Sequence, residues 1–225
     1  MKYKLTDETI ELCGRTLHRI ECVEAFADVK VGDKGGYIET ENNLSQLNGA
    51  WVYGDTWVFG GARVYGNARV YGGAQVYGNA EVYDGARVYG NAVVYDDAWV
   101  HDDARVYDGA RVCGNARVSG NARVCGNARV RDNAWVRGNA EVCGDAEVCG
   151  NARVCDDADY IVFKNKWSSG RYFTWTRSND MWTVGCFHGT GEKLIKKAYA
   201  ESENSGKHYE AYVRFVEQLK ELDKK

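Results

Sequence analysis

Two short stretches near the C-terminus combine the residue types that hold an anionic ligand. The first supplies cations and one indole ring, and the second supplies a glycine-rich turn before a helical segment. N–H groups at a helix start bind phosphate-like oxygens, mobile cations add charge, and an aromatic ring can stack on a base. We therefore predict a site for an anionic, nucleotide-like small molecule at Lys164, Lys166, Trp167, Arg171, Gly189, Thr190, Gly191 and Lys193.

The same residues have a purely structural interpretation, which the sequence leaves open. The glycines between Gly185 and Gly191 can simply form a turn, the tryptophans can fill a small core, and the lysines can face solvent. The turn is not a P-loop, because the spacing G-x-x-x-x-G-K-[ST] is missing. A protein partner is an alternative to a small molecule at the same place.

The composition restricts the class of protein that carries these residues. The chain has 225 residues, with 26 glycines, no proline, 15 tyrosines and 7 tryptophans. Its content of 44% hydrophobic and 27% charged residues is typical of a globular protein and argues against disorder. The net charge of −3 is too mild for a general nucleic-acid binder, although residues 158–225 carry 12 basic against 9 acidic side chains.

The sequence also bears on location, thiol state and cofactors. No apolar run reaches the about 18 residues of a membrane span, and residues 1–5 lead into acidic sequence rather than a signal peptide. We therefore expect a cytoplasmic protein without membrane association, whose eight cysteines are reduced thiols. There is no C-x-x-C and no pairing of His or Asp at metal-ligand spacing, so we expect neither a metal nor another cofactor.

An internal repeat organises the middle of the chain. From Ala50 to Asp157 the sequence consists of eighteen consecutive hexads of the general form Ala-x-Val-(Tyr/Cys)-(Gly/Asp)-(Asn/Gly/Asp). Valine fills the third position from Val52 to Val154, and alanine fills the first position except at Thr56. The pattern predicts a short strand with Ala and Val facing inward, followed by a corner where Gly, Asn and Asp accept positive φ.

The hexads resemble those of the hexapeptide-repeat, left-handed parallel β-helix family. Residues 64–69, Val-Tyr-Gly-Asn-Ala-Arg, match its pattern of an aliphatic residue with a small residue four positions later. The resemblance implies three hexads per coil, hence about six regular coils stacked about 4.8 Å apart. Family members commonly trimerise side by side, so the resemblance also implies a homotrimer, with Trp99, Arg117 and Trp135 at the subunit contact.

The resemblance brings an enzymatic alternative as well. Residues 28–46 resemble the lead-in of uncharacterised phage and bacterial hexapeptide proteins that are often labelled acyltransferases on fold alone. Acyltransferases of this fold need a histidine base in a cleft between subunits, whereas the regular coils hold only His101 and no inserted loop. We therefore expect no catalytic residue, and acyl transfer from acyl-CoA stays an alternative.

The hexads are flanked by a predicted cap and a predicted domain. Residues 1–49 are expected to form an N-terminal cap and irregular first coils, with strands at residues 3–5, 9–12 and 16–20. Residues 158–225 are expected to form a small α+β domain in the order βββαα. Its strands are predicted at residues 158–163, 171–177 and 181–187, and its helices at residues 192–202 and 207–222.

The C-terminal stretch resembles a small domain appended to phage and bacterial proteins, on the motif Gly185-Cys186-Phe187-His188-Gly189-Thr190. That resemblance implies no established chemistry. The sequence thus predicts a mainly β protein, a left-handed parallel β-helix with a small C-terminal α+β domain. Its expected function is that of a non-catalytic oligomeric binding protein. One specific form of this function would be a phage-encoded protein that interferes with a host signal. A purely structural assembly spacer is the third alternative.

Overall fold

The computed structural model describes residues 1–222 and divides into two compact units, which meet in sequence at Asp157 and Ala158. The strands of the first unit are β1 (Tyr3–Leu12), β2 (Arg15–Cys22), β3 (Lys34–Ile38), β4 (Trp51–Val52), β5 (Trp57–Val58), β6 (Arg63–Val64), β7 (Arg69–Val70), β8 (Gln75–Val76), β9 (Glu81–Val82), β10 (Arg87–Val88), β11 (Val93–Val94), β12 (Trp99–Val100), β13 (Arg105–Val106), β14 (Arg111–Val112), β15 (Arg117–Val118), β16 (Arg123–Val124), β17 (Arg129–Val130), β18 (Trp135–Val136), β19 (Glu141–Val142), β20 (Glu147–Val148) and β21 (Arg153–Val154). The second unit contains β22 (Tyr160–Lys164), β23 (Tyr172–Thr176), β24 (Met181–Val184), β25 (Phe187–Gly189), α1 (Gly191–Glu201) and α2 (Glu203–Leu222). Short 3₁₀ turns lie at Glu41–Asn43 and Asp157–Asp159.

The hexads form a parallel β-solenoid of about seven turns, which confirms the predicted β-helix architecture. Each strand covers the x-Val positions of one hexad and pairs in parallel with the strand eighteen residues away, as Arg87 pairs with Arg69 and Arg105. Three hexads therefore complete one coil. The three parallel sheets contain β4-β7-β10-β13-β16-β19, β3-β5-β8-β11-β14-β17-β20 and β6-β9-β12-β15-β18-β21.

The interior of the solenoid is built from the alanines and valines of the hexads, which are almost completely buried. The x residue between them points outward, because side chains alternate along a strand. Backbone groups of consecutive coils are hydrogen-bonded: the Trp99 N–H donates to Ala116 O at 2.9 Å and the His101 N–H donates to Val118 O at 3.0 Å. Apolar burial and backbone pairing thus repeat together in every coil.

The corners turn at residues with positive φ, as the Gly/Asp position of the hexad predicts. Gly90 has a φ of 68°, and Asp108, at the equivalent position one coil later, has a φ of 59°. Aspartate is one of the few non-glycine residues that adopt this conformation readily. Its carboxylate also links coils, since Asp102 Oδ2 accepts the N–H of Gly120 at 2.9 Å.

The N-terminal residues cover the first coil as a long hairpin, so the prediction of three strands in residues 1–22 is wrong. The strand β1 runs unbroken from Tyr3 to Leu12, with a register shift between Leu5 and Thr9 where the sequence pattern predicted two separate strands. A bulge lets polar residues interrupt the alternation without ending the strand. The second strand of the hairpin, β2, pairs with β3, which joins the sheet of β5.

Buried Lys2 closes the edge of the first coil. Its Nζ donates to the carbonyl oxygens of Leu47, Asn48 and Ala50 at 3.4, 3.3 and 2.6 Å. Burial lowers the pKa of Lys2 to about 8, because desolvation disfavours the ammonium form. A terminal coil presents unpaired backbone groups, and this side chain satisfies three of them.

The second unit has the order ββββαα, which corrects the predicted βββαα. Strands β22 to β25 form one antiparallel sheet in sequence order. The additional strand, β25, pairs with β24 within the segment predicted as a glycine-rich turn. The reversal occurs instead at Gly185 and Cys186, where Gly185 has a φ of 57°. Both helices were predicted to within a few residues of their observed ends.

An aromatic core joins the sheet of the second unit to its helices. Its buried members are Phe173, Trp175, Trp182, Val184, Leu194, Ala198, Tyr209, Val213 and Val216. Gly191 begins α1 where the helix approaches this core most closely, since a Cβ there would lie 2.6 Å from Cγ1 of Val213. Among residues 1–222, neither helix has both the length and the hydropathy needed to cross a membrane.

Candidate functional site

The loop between β22 and β23 is organised by one buried side chain, Asn165. Its Nδ2 donates to the hydroxyls of Ser168 and Ser169 at 2.7 and 3.2 Å. Its Oδ1 accepts the N–H groups of Trp167 and Ser168 at 3.1 and 3.2 Å and the hydroxyl of Tyr212 at 3.1 Å. The loop is therefore held to the sheet and to α2 by a side chain that is completely buried.

This ordered loop projects an indole ring into solvent. Trp167 is 77% exposed, whereas the core residues Trp175 and Trp182 are buried. The hydrophobic effect favours burying so large a ring, so its exposure requires the surrounding loop to hold it outward. The interpretation that the tryptophans only fill a core is correct for Trp175 and Trp182 and wrong for Trp167.

Three cations surround the loop. The Nζ of Lys164 lies 5.0 Å from the centroid of the Tyr172 ring, and the side chain of Arg171 lies beside Gly185. Lys166 is exposed next to Trp167. Within residues 1–222, no carboxylate lies within ion-pair distance of Lys164, Lys166 or Arg171. The loop thus offers uncompensated positive charge beside an exposed aromatic face.

The other half of the predicted site lies elsewhere on the same unit. Gly189 pairs with Trp182 in β25, in line with Ile161 of β22 and not with Lys164. Three strand spacings separate β22 from β25, a distance of about 14 Å. The structure therefore does not bring the loop cations and the Gly189–Gly191 segment into one compact cluster.

The start of α1 is capped by its own residues. Thr190 is the N-cap, and its hydroxyl accepts the N–H of Lys193 at 3.5 Å. A glycine is required at position 191, because a Cβ there would lie 2.6 Å from Cγ1 of Val213. The structural interpretation of this turn, as packing and capping, accounts for Thr190 and Gly191, while ligand binding there stays a prediction.

The predicted subunit contact is a ladder on one sheet of the solenoid. Trp99, Arg117 and Trp135 pair in register across β12, β15 and β18. The Arg117 guanidinium carbon lies 4.6 Å from the centroid of the Trp99 ring, and Trp135 Nε1 donates to Ser119 Oγ at 3.2 Å. The indoles are partly covered by their own neighbours, and Trp99 is 37% exposed. Contact between copies through this ladder stays a prediction.

His101 has structural partners on its corner. Its ring stacks on that of Tyr83 at 4.9 Å, and its Nδ1 lies 3.3 Å from Asp102 Oδ2. Asp84, one coil earlier, completes a group of three residues whose donor atoms lie within 4.8 Å of one another. The sequence search for metal-ligand spacing missed this group, because residues eighteen positions apart become neighbours only when the coils stack.

The same stacking corrects the prediction that all cysteines are reduced thiols. Cys125 and Cys143 are disulfide-bonded, with Cα atoms 4.7 Å apart. That separation lies within the range that a disulfide requires, and consecutive coils supply it wherever cysteine recurs at one corner. Glu141 lies beside the pair, with a carboxylate oxygen within 4.8 Å of both sulfur atoms.

Comparison with known protein families gives a match within the hexads. A family model described as the YdcK beta solenoid repeat matches residues 62–78, 86–102, 110–125 and 122–138. All four matched segments lie among the strands that form the stacked coils. The hexads are β-solenoid repeats. No curated protein matched the chain. The matched segments end at residue 138, before the C-terminal motif.

Proposed function

We propose that this protein is a non-catalytic binding protein whose C-terminal unit holds an anionic ligand with an aromatic ring, such as a nucleotide. The observation that carries the proposal is the exposure of Trp167, which is 77% accessible on a loop fixed by the buried Asn165. A loop whose backbone is already fixed loses little conformational entropy when a flat ring stacks on the indole that it exposes.

The charges around the loop determine the class of ligand. Lys164, Lys166 and Arg171 add three positive charges without a carboxylate in ion-pair distance among the described residues. Arginine pairs with phosphate or carboxylate through two parallel hydrogen bonds, while lysine acts as a point charge. Stacking of one base contributes about 1–3 kcal/mol, so ring and anion together favour a nucleotide over inorganic phosphate.

Titration calorimetry of the full chain tests this proposal with two probes, ADP and inorganic phosphate. We expect Trp167→Ala to weaken ADP binding about ten-fold and to leave phosphate binding unchanged, since only ADP can stack. Arg171→Ala should weaken both probes. Matched controls are Trp99→Ala, which removes a half-exposed indole from the solenoid, and Lys196→Ala, which removes an exposed cation from α1.

Two results would contradict the proposal. One is ADP binding that survives both Trp167→Ala and Arg171→Ala. The other is the absence of ADP binding at millimolar concentration in the unaltered protein, which would favour a structural spacer.

A further inference from the structure

One sheet of the solenoid carries a continuous row of arginines. Along β7, β10, β13 and β16 the outward residues are Arg69, Arg87, Arg105 and Arg123, which pair in register. Stacked strands lie about 4.8 Å apart, so the row extends over about 14 Å along the solenoid axis. We call this surface the arginine face.

The two ends of the row are neutralised and its middle is not. At one end Arg69 Nη2 lies 2.8 Å from Asp28 Oδ1, and at the other Arg123 Nη1 lies 3.9 Å from Glu141 Oε2. Among residues 1–222, no carboxylate lies within ion-pair distance of Arg87 or Arg105. Two adjacent guanidinium groups are therefore left to pair with an external anion.

A stack of tyrosines runs along one margin of the arginine face. The rings of Tyr71, Tyr89 and Tyr107 are nearly parallel, with interplanar angles of 1° and 3° and centroid distances of 4.8 and 5.0 Å. Both ring faces of Tyr89 are occupied by its neighbours in the stack, so its edge and its hydroxyl remain available. Unlike Tyr53, which donates to Asp28, these three hydroxyls have no hydrogen-bond partner within the described chain.

Amide and carboxylate side chains form the opposite margin. A groove of about 400 Å³ is lined by Asp103, Arg105, Asn121, Arg123, Asn139 and Glu141. A second groove of about 400 Å³, at the other end of the row, is lined by Asp28, Tyr53, Arg69, Tyr71 and Arg87. The row of charge is thus bordered by hydroxyl donors on one side, and on the other by the carboxylate of Asp103 and the amides of Asn121 and Asn139.

We propose that the arginine face binds an extended acidic polysaccharide, which lies along the solenoid axis with its acidic groups on Arg87 and Arg105 and its hydroxyls on the two margins. A repeating surface fits a repeating ligand, because three successive coils each present an arginine and a tyrosine at the same place. Carboxylate and sulfate both accept two parallel hydrogen bonds from a guanidinium. Sugar hydroxyls both donate and accept, as the tyrosine and asparagine groups do.

The closed tyrosine stack argues against single-stranded nucleic acid as the occupant. Proteins that bind single strands combine positive charge with aromatic faces on which bases stack. On the arginine face both ring faces of Tyr89 are covered by its neighbours in the stack, and Trp51, the aromatic residue in line with the row, is 1% exposed. This site is therefore distinct from the loop at Trp167, where the aromatic face is open.

Fluorescence anisotropy of the full chain tests the proposal with two labelled probes, an oligogalacturonate and a heparin oligosaccharide, which distinguish carboxylate from sulfate recognition. We expect Arg87→Gln with Arg105→Gln to weaken binding about ten-fold or more, since two charge-assisted contacts are lost. The matched control is Arg111→Gln with Arg129→Gln, which removes the same charge from adjacent exposed strands of another sheet. Tyr89→Phe should weaken binding about three-fold through one lost hydroxyl.

The proposal is supported if the control pair and Trp167→Ala leave binding within about two-fold of the unaltered protein. It is overturned if both arginine pairs lower affinity equally, because the attraction is then general electrostatics. It is also overturned if an oligothymidylate or poly-glutamate binds more tightly than either saccharide, or if neither saccharide binds.

Discussion

In the coils of the solenoid unit almost all buried alanines and valines pack against the same residue type eighteen residues away, whereas the core of the C-terminal unit has no such repeat. The solenoid interior uses almost only alanine and valine, and the C-terminal core is aromatic, with Phe173 contacting Phe163, Trp182 and Tyr209. The first is stabilised by repetition of small contacts and the second by a few large ones. The truncation of one buried side chain should therefore destabilise the two units by different amounts.

The two units also present different surfaces. On the solenoid, aromatic rings cover one another in stacks, as Tyr71 does with Tyr89. In the C-terminal unit one ring, Trp167, stands alone on an ordered loop. Both faces of a ring inside such a stack are closed to a ligand, whereas the indole of Trp167 is open to one.

The largest expected effect is that of Phe173→Ala. This side chain is completely buried, and its loss should destabilise the C-terminal unit by about 4 kcal/mol through lost burial and a cavity. Hydrogen–deuterium exchange should show faster exchange in peptides covering residues 160–189, with little change in peptides covering residues 69–124. Equal loss of protection in both sets of peptides would refute the difference drawn between repeated and single-copy cores.

A smaller effect is expected from Val106→Ala in the solenoid. Removing two methyl groups from a buried position costs about 2 kcal/mol in the free energy of unfolding. Val88→Ala should cost the same to within about 0.5 kcal/mol, because Val88 and Val106 have equivalent neighbours in the coils on either side. Urea unfolding of both variants measures this. Clearly unequal costs would mean that the coils are not energetically equivalent.

The smallest effect appears only at alkaline pH. Burial raises the pKa of Tyr77 above the ordinary value of 10.0, so unfolding releases a proton once the pH exceeds that value. Stability contributed by such tyrosines is intact below pH 10.0 and is lost as the pH rises above it. Tyr77→Phe should match the unaltered protein at pH 8 and lose less stability at pH 11. A phenylalanine ring can take the place of Tyr77 in the stack, since the neighbouring ring in that stack is already Phe59. Thermal melts of both proteins at the two pH values measure this, and parallel losses would show that Tyr77 does not titrate differently in the folded state.

The sequence was most informative where its residues repeat. The eighteen hexads predicted the strand positions, the buried alanines and valines and the pairing of Trp99 with Arg117, because a fixed period makes one local rule predict every contact. The corner turns followed from the same period. The prediction of a site on the loop at Trp167 rests on residue type alone and did not include the buried Asn165 that orders this loop.

Away from the repeat, the predictions failed where distant residues decide local structure. The segment at Phe187–Gly189 has the composition of a turn but forms a strand, since β24 offers it an edge to pair with. The bulge in β1 likewise depends on the partner strand across the hairpin. The burial of Lys2 depends on carbonyl groups more than forty residues away. Within the repeat, too, some contacts between distant residues were missed: the disulfide between Cys125 and Cys143 and the group at Asp84, His101 and Asp102 arise only when coils stack.

By itself the sequence determined the period, the inward and outward faces and the boundary at which the repeat ends, because alternation along a strand and the φ preferences of Gly and Asp are local properties. Only the tertiary structure decided which charges remain uncompensated. Arg69 and Arg87 have the same place in their hexads, yet Asp28 from the N-terminal cap neutralises the first and leaves the second exposed. Whether a charged side chain can bind a ligand depends on the carboxylates that the fold brings within a few ångströms, and those distances are not encoded in a local pattern.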